Sequence, residues 1–213
     1  QAVGATNRLG TLVLPFGTLN EGVQFAQAGD TVRVRVGVYD LTADGDGTLY
    51  VSRAMVVIGD TAADGSRPRI TSAVGGDGVV LDGPGSVEIH NLDVAGFYTA
   101  FIVTGPSCAL FRGVRASQVT YGLSVESYAG CVRVEKSRLA GLGYHSLGYG
   151  YGYSGRGVEV NAVVDTLTIE DSELSEFGYG VSDEGKFVDS LTVRRSLLHD
   201  LGYKAVYLSD PCY

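Results

Sequence analysis

The chain has no apolar run approaching the ~18 residues that a membrane-spanning helix needs, so no membrane span is expected. Lysine is scarce, three residues in 213, and the net charge is −8. A phosphate backbone rewards clustered cations, so this composition argues against nucleic acid as a partner. The three histidines, His90, His145 and His199, are scattered. They suggest neither a metal cluster nor a Ser/His/Asp arrangement, and no cofactor is expected. Asp44-Gly-Asp-Gly47 is rich in carboxylates but lacks the spaced ligands and closing Glu of a calcium loop, and reads as a turn. No secretory leader is visible, yet the first residue is Gln1 rather than Met, as in a processed secreted protein.

What is present is a repeat. Six segments follow one another: DGVVLDG (from Asp77), TAFIVTG (Thr99), YGLSVES (Tyr121), RGVEVNA (Arg156), YGVSDEG (Tyr179) and YKAVYLS (Tyr203). Their offsets are 22, 22, 35, 23 and 24 residues. Within the copies a second motif recurs at Ser86, Cys108, Cys131, Thr166 and Ser190, and a third at Leu92, Val114, Ser137, Ser172 and Ser196. A short fixed period with strand-like pieces is the mark of a solenoid.

The columns explain the winding. In the second motif one file reads Val87, Ala109, Val132, Leu167, Leu191, and two residues on it reads Ile89, Phe111, Val134, Ile169, Val193. Polar residues alternate with them, so one face of every strand points inward. The third motif adds Val94, Ala116, Leu139, Leu174, Leu198, then Phe97, Val119, Leu142, Phe177, Leu201. No single coil buries such a face; stacked coils bury all of them, with strands ~4.8 Å apart. The expected fold is all-β: a right-handed parallel β-helix of about eight coils, under about 40 Å long. Glycine, 31 residues, suits a fold with three tight corners per coil.

The chain reads as a single domain. Residues 1–30 form an N-terminal strand and a capping helix, and residues 31–213 the solenoid. Thr11–Leu14 is a candidate edge strand. Thr18 and Glu21 make a capping box, Leu19, Val23 and Ala26 share a helical face, and Gly29 ends the helix. Such a helix covers the open apolar end of the first coil. Val32, Val34 and Val36 then begin a strand, and 49–60 holds a strand pair.

The Pro15-Phe-x-Thr18-Leu-x-Glu21 helix, Ala28-Gly-Asp-Thr-Val32 and the Gly37-x-Tyr39 turn resemble the N-terminal cap of the pectate-lyase-like, right-handed parallel β-helix superfamily. The later copies resemble its generic β-helix repeats. The resemblance covers nearly the whole chain and is specific for fold. Its members include polysaccharide lyases, hydrolases, epimerases, tailspikes and adhesins, so fold does not fix activity. Enzymes of the superfamily work in a groove along an outward sheet face. They use carboxylates that hold calcium or act as acids, with Lys or Arg as base.

On that pattern the enzyme candidates are Glu135, Lys136, Glu170, Asp171, Arg194 and Arg195, at strand ends on three neighbouring coils. Calcium would enter only with this alternative. Cross-strand pairing explains the same charges without catalysis: Arg112 above Glu135, Glu170 beside Arg194, Asp171 beside Arg195. His199-Asp200 reads as a solvated turn pair. Asp183 falls in an otherwise inward file (Val79, Phe101, Leu123, Val158), and a turn one residue longer predicts a slipped, exposed carboxylate. Tyr121, Tyr179 and Tyr203 share a corner column and should stack.

The insertion at 142–155 carries Tyr144, Tyr149, Tyr151 and Tyr153 among glycines, a loop suited to stacking on sugars or on another subunit. Cys108 and Cys131 share a column on successive coils, close enough for a disulfide, and Cys212 falls in the same column of the last copy. Free thiols are the alternative, as is a link from the odd cysteine to another chain. The final copy ends in a strand, at 205–208, with no capping helix after it. Ala205, Tyr207 and Cys212 therefore join the loop tyrosines as assembly candidates. The expectation is a secreted or cell-surface structural or adhesive β-helix that self-associates, with no catalytic residues and a glycan as a further partner. The alternative is a lyase or epimerase acting on an acidic polysaccharide.

Overall fold

A computed structural model describes residues 15–42, 47–73, 75–143 and 155–209. The Thr11–Leu14 strand, residues 44–46 of the Gly/Asp turn, His145, the four loop tyrosines and Cys212 lie outside the described residues. The chain opens with α1 (Leu19–Phe25) and then winds through seven coils of three strands each. Coil 1 holds β1 (Thr31–Val34), β2 (Val38–Asp40) and β3 (Leu49–Val51); coil 2 holds β4 (Val56–Gly59), β5 (Arg69–Thr71) and β6 (Asp77–Leu81). Coil 3 holds β7 (Ser86–His90), β8 (Asp93–Ala95) and β9 (Thr99–Val103); coil 4 holds β10 (Cys108–Arg112), β11 (Arg115–Val119) and β12 (Tyr121–Val125). Coil 5 holds β13 (Ala129–Glu135), β14 (Arg138–Gly141) and β15 (Arg156–Val160); coil 6 holds β16 (Val164–Glu170), β17 (Glu173–Ser175) and β18 (Tyr179–Ser182). Coil 7 holds β19 (Val188–Arg194), β20 (Leu197–His199) and β21 (Lys204–Tyr207).

Every third strand pairs in parallel, giving three seven-stranded sheets: A from β1 to β19, B from β2 to β20, and C from β3 to β21. This is a right-handed parallel β-helix with a small N-terminal helix. It has seven coils among the described residues rather than about eight. The expected files are in register: Val87, Ala109, Val132, Leu167 and Leu191 are successive partners. The first four are fully buried.

The Thr18–Glu21 capping box closes α1, with Glu21 N donating to Thr18 Oγ1 at 3.1 Å. The helix ends at Phe25 rather than at Gly29, because Ala26 is already extended. Leu19, Val23 and Ala26 are buried against coil 1.

Sheets A and B meet at a two-residue corner. Asn91, Gly113, Lys136, Asp171 and Arg195 occupy it with φ from 49° to 66°. This left-handed conformation strains side chains other than glycine, and Asn and Asp tolerate it best. A serine ladder follows inside the corner. Val114 N donates to Ser137 Oγ at 3.2 Å, Ser137 N to Ser172 Oγ at 3.1 Å, and Ser172 N to Ser196 Oγ at 3.2 Å. Each hydroxyl in turn donates to a carbonyl two residues earlier, at 2.7–2.9 Å. Backbone N–H groups turned out of the sheets are thereby satisfied coil to coil.

Three local readings are corrected. Leu142 is exposed instead of inward, because Gln118 adds a left-handed residue to β11 and Val119 then partners Gly141. A Cβ at Gly141 would lie 2.3 Å from the Glu176 carbonyl, so only glycine fits. Tyr203 is not in the Tyr121 column, which runs Tyr121, Arg156, Tyr179, Lys204. Slipping by one residue places Val206 inward beside Val181; Tyr203 still stacks on Tyr179 at 5.2 Å. Asp183 is buried, at 2% exposure, and its register is regular: Val181 fills the inward file. Its Oδ1 accepts from Ser209 N and Oγ, both at 2.8 Å.

Coil 7 differs from the rest. Val193, Leu197, Val206, Tyr207 and Leu208 are exposed, whereas Ile169 and Val181, the partners of Val193 and Val206 in coil 6, are fully buried. No helix among the described residues is long and apolar enough to cross a membrane.

Candidate functional site

On sheet C the inward file Leu123, Val158, Val181 fixes which residues project the other way. One step on, Ser124, Glu159 and Ser182 are partners, and two residues further come Glu126, Asn161 and Glu184. Coils 4 to 6 thus carry a lattice of three polar pairs on one outer face. Ser124 and Glu159 are nevertheless buried, at 2% and 9% exposure.

The hydrogen bonds converge on Ser124. Its Oγ contacts Glu126 Oε1 and, at 3.3 Å, Glu159 Oε2. Asn161 Nδ2 donates to Glu126 Oε1 at 3.0 Å and to Ser124 Oγ at 3.3 Å. One hydroxyl carries one proton. If Ser124 gives it to Glu126, Glu159 keeps its own hydrogen bond only by donating, that is, by being protonated. Burial independently pushes the Glu159 carboxyl above its ordinary range, and the nearby Glu126 adds to the rise. Asn161, Arg156 and Ser124 pull the other way without reversing it.

Arg156 is the cation of the site. Its Nη1 lies 3.1 Å from Glu159 Oε1 and donates to Tyr121 Oη at 3.3 Å, and its Nη2 bonds Glu184. The guanidinium stands 5.8 Å from the Tyr121 ring and 5.7 Å from that of Tyr179. Burial, then Glu159, pushes the Tyr121 hydroxyl up to about 12. Tyr98 meets Tyr121 edge-on at 5.3 Å. A carboxyl whose proton affinity burial raises, set beside a second carboxylate and framed by a fixed cation and aromatic rings, can do acid–base chemistry.

Sequence reasoning passed over this lattice. Its signal was the polar residue recurring one position after the inward Leu123 or Val158, followed by another at the next outward step. The six residues put forward instead fall in two places. Glu135 and Glu170 are partners on sheet A, flanked by Arg112 and Arg194. Arg112 Nη2 bonds Glu135 at 2.7 Å, Arg133 Nη2 lies 2.5 Å from its other oxygen, and Arg194 Nη2 bonds Glu170 at 2.6 Å. Lys136, Asp171 and Arg195 lie at the A–B corner, where Arg195 holds Asp171 at 2.6 Å. The two places adjoin, because Arg195 bonds Glu170 as well as Asp171. Each of their carboxylates is already engaged by an arginine.

Among the assembly residues, Ala205 and Tyr207 are exposed on β21, and Lys204 Nζ stands 4.5 Å from the Tyr207 ring. Cys108 and Cys131 are partners on adjacent strands and form a disulfide, with Cα atoms 4.5 Å apart. Among the described residues no three His, Cys, Asp or Glu side chains converge as metal ligands. No protein-family model matches the chain, and neither a curated protein nor a solved structure matches it.

Proposed function

We propose that the protein is a carbohydrate-active β-helix working at the outer face of sheet C, with Glu159 as proton donor and Glu126 as its charged counterpart. One observation carries the reading: two carboxyl groups on neighbouring coils share the Ser124 hydroxyl, and burial favours a proton on Glu159. Groups bonded to one oxygen lie no more than about 6 Å apart, two hydrogen-bond lengths. That suits the ~5–5.5 Å of a retaining glycosidase pair better than the ~6.5–9.5 Å of an inverting one. Glu159 would give its proton to the departing glycosidic oxygen as the C–O bond breaks, while Glu126 forms a bond to the sugar carbon. Water then displaces Glu126, returning a proton to Glu159. The resemblance to pectate-lyase-like proteins, whose enzymes use an outward sheet face, supports the location.

The test is reducing-end release from a panel of neutral and acidic glycans. Glu159→Gln should lower the rate by about 10²–10⁴-fold. Undiminished activity in that variant, or no product from any glycan, removes the proposal. Unsaturated product that disappears in Arg194→Ala would instead point to a lyase on sheet A.

A second reading, a secreted structural or adhesive protein that self-associates, is favoured by the exposed apolar residues of coil 7. The disulfide suits an oxidising, extracellular compartment. Sedimentation at rising concentration should show assembly that Val206→Lys disperses; monomer throughout removes this reading.

A further inference from the structure

The corner between sheets A and B opens into a groove of about 840 Å³, on a different face from the Glu159 lattice. In a chain of net charge −8 its lining is biased to the opposite sign. Arg67, Arg115, Lys136, Arg138 and Arg195 line it, against the carboxylates Asp171 and Glu173. Both carboxylates are already engaged, Asp171 by Arg195 at 2.6 Å and Glu173 by Arg138 at 3.3 Å. Lys136 is exposed, and its side chain makes no hydrogen bond or ion pair among the described residues. Arg115 is held only loosely, 3.8 Å from Asp93.

Two buried polar atoms nearby have no protein partner among the described residues. Arg67 donates through Nη1 to the Gly113 carbonyl, but its Nε–H bonds nothing, and Asp93 Oδ1 accepts nothing. The orphans are one donor and one acceptor, and a hydroxyl-bearing ligand supplies both kinds of partner. The cations of coils 4, 5 and 7 span three coil steps, about 14 Å at the parallel-strand spacing. A single small anion fills only part of that length.

We infer that this groove is a second glycan-binding surface, for a linear sugar chain bearing carboxylate or sulfate groups. Nucleic acid fits less well. Among the described residues its lining holds no aromatic side chain on which bases could stack. Asp171 and Glu173, on coil 6, add acceptors for sugar hydroxyls. The inference stands apart from the chemistry assigned to sheet C.

Calorimetric titration of the whole protein tests it with four probes of similar length: a sulfated oligosaccharide, a polyuronate, a neutral oligosaccharide and single-stranded DNA. Either anionic sugar should bind, more weakly as salt rises, and the tighter of the two identifies the anionic group. The Arg115→Gln/Lys136→Gln double variant changes two exposed side chains and should weaken binding about tenfold or more. Glu159→Gln should leave this binding intact, so that failure of the sheet C chemistry and failure of the groove are told apart. Anionic sugars binding no better than the neutral one, an unaffected double variant, or DNA binding tighter than both sugars overturns the inference.

Discussion

The serine ladder offers one chemical change at three depths. Ser137→Ala removes the acceptor for Val114 N–H, and Ser172→Ala the acceptor for Ser137 N–H. Both serines are buried, at 4% and 5% exposure, so water has poor access to the orphaned donors. A buried N–H left unpaired costs about 1–3 kcal/mol. In a chain of this length, 2 kcal/mol lowers the melting temperature by about 4–8 °C. Ser196 lies on coil 7 and is only half-buried. In Ser196→Ala, water can reach Ser172 N–H, and the loss should fall to about 0.5–1 kcal/mol. Urea unfolding reads the series as a shift in midpoint at constant slope. Equal losses at all three positions, or the largest at Ser196, would refute burial as the deciding variable. The hydroxyls would then not be what ties the corners together.

Two further predictions follow from single contacts. His199 is bonded by Glu173 at 3.1 Å and Asp200 at 2.7 Å, which together raise its proton affinity, Glu173 most. The folded state therefore binds the proton more tightly than the unfolded one. This contribution is complete below the ordinary histidine value of ~6.5 and is lost as pH rises through the elevated folded value. An NMR titration of the ring should give a midpoint above the ordinary value, and a midpoint below it sinks the claim. The Cys108–Cys131 bond closes a loop with a separation of 23 residues, for which the chain-entropy model gives about 3 kcal/mol. Unfolding with and without reductant measures it, and an unchanged midpoint after verified reduction contradicts it.

The winding was legible because it rests on alternation, which each copy states again. Val87, Ala109, Val132 and Leu167 could be lined up by counting, and the register follows that count. Counting failed where one residue is added or slipped. Gln118 displaces the Leu142 position by one, and the Tyr203 segment starts one residue early because its first tyrosine imitates Tyr179. The choice there belongs to Val206, whose apolar side chain has to face inward. Asp183 was misplaced for a related reason: counted from the wrong member, it was put in the Val158 file and read as slipped and exposed, whereas it lies two residues past Val181 and is buried. The site was the least legible part. Ser124, Glu126 and Glu159 each look like ordinary solvent-side residues of a strand, and only the three-dimensional stack covers two of them. The six-residue charge cluster was visible in sequence because its members are charged. Charge alone does not separate a ladder of mutual neutralisation from a place where burial raises a carboxyl's proton affinity.

The disulfide also divides the molecule mechanically. Below it, toward the amino end, α1 plugs the first coil. Above it, coils 5 and 6 keep their interiors buried, and coil 7 exposes Val193 and Val206, whose counterparts in coil 6 are hidden. Because each turn grips only the turns on either side, the structure should come apart like a zipper opened from the carboxyl end. The sulfur crosslink is then a stitch part-way along, beyond which the opening meets a chain still tied to itself.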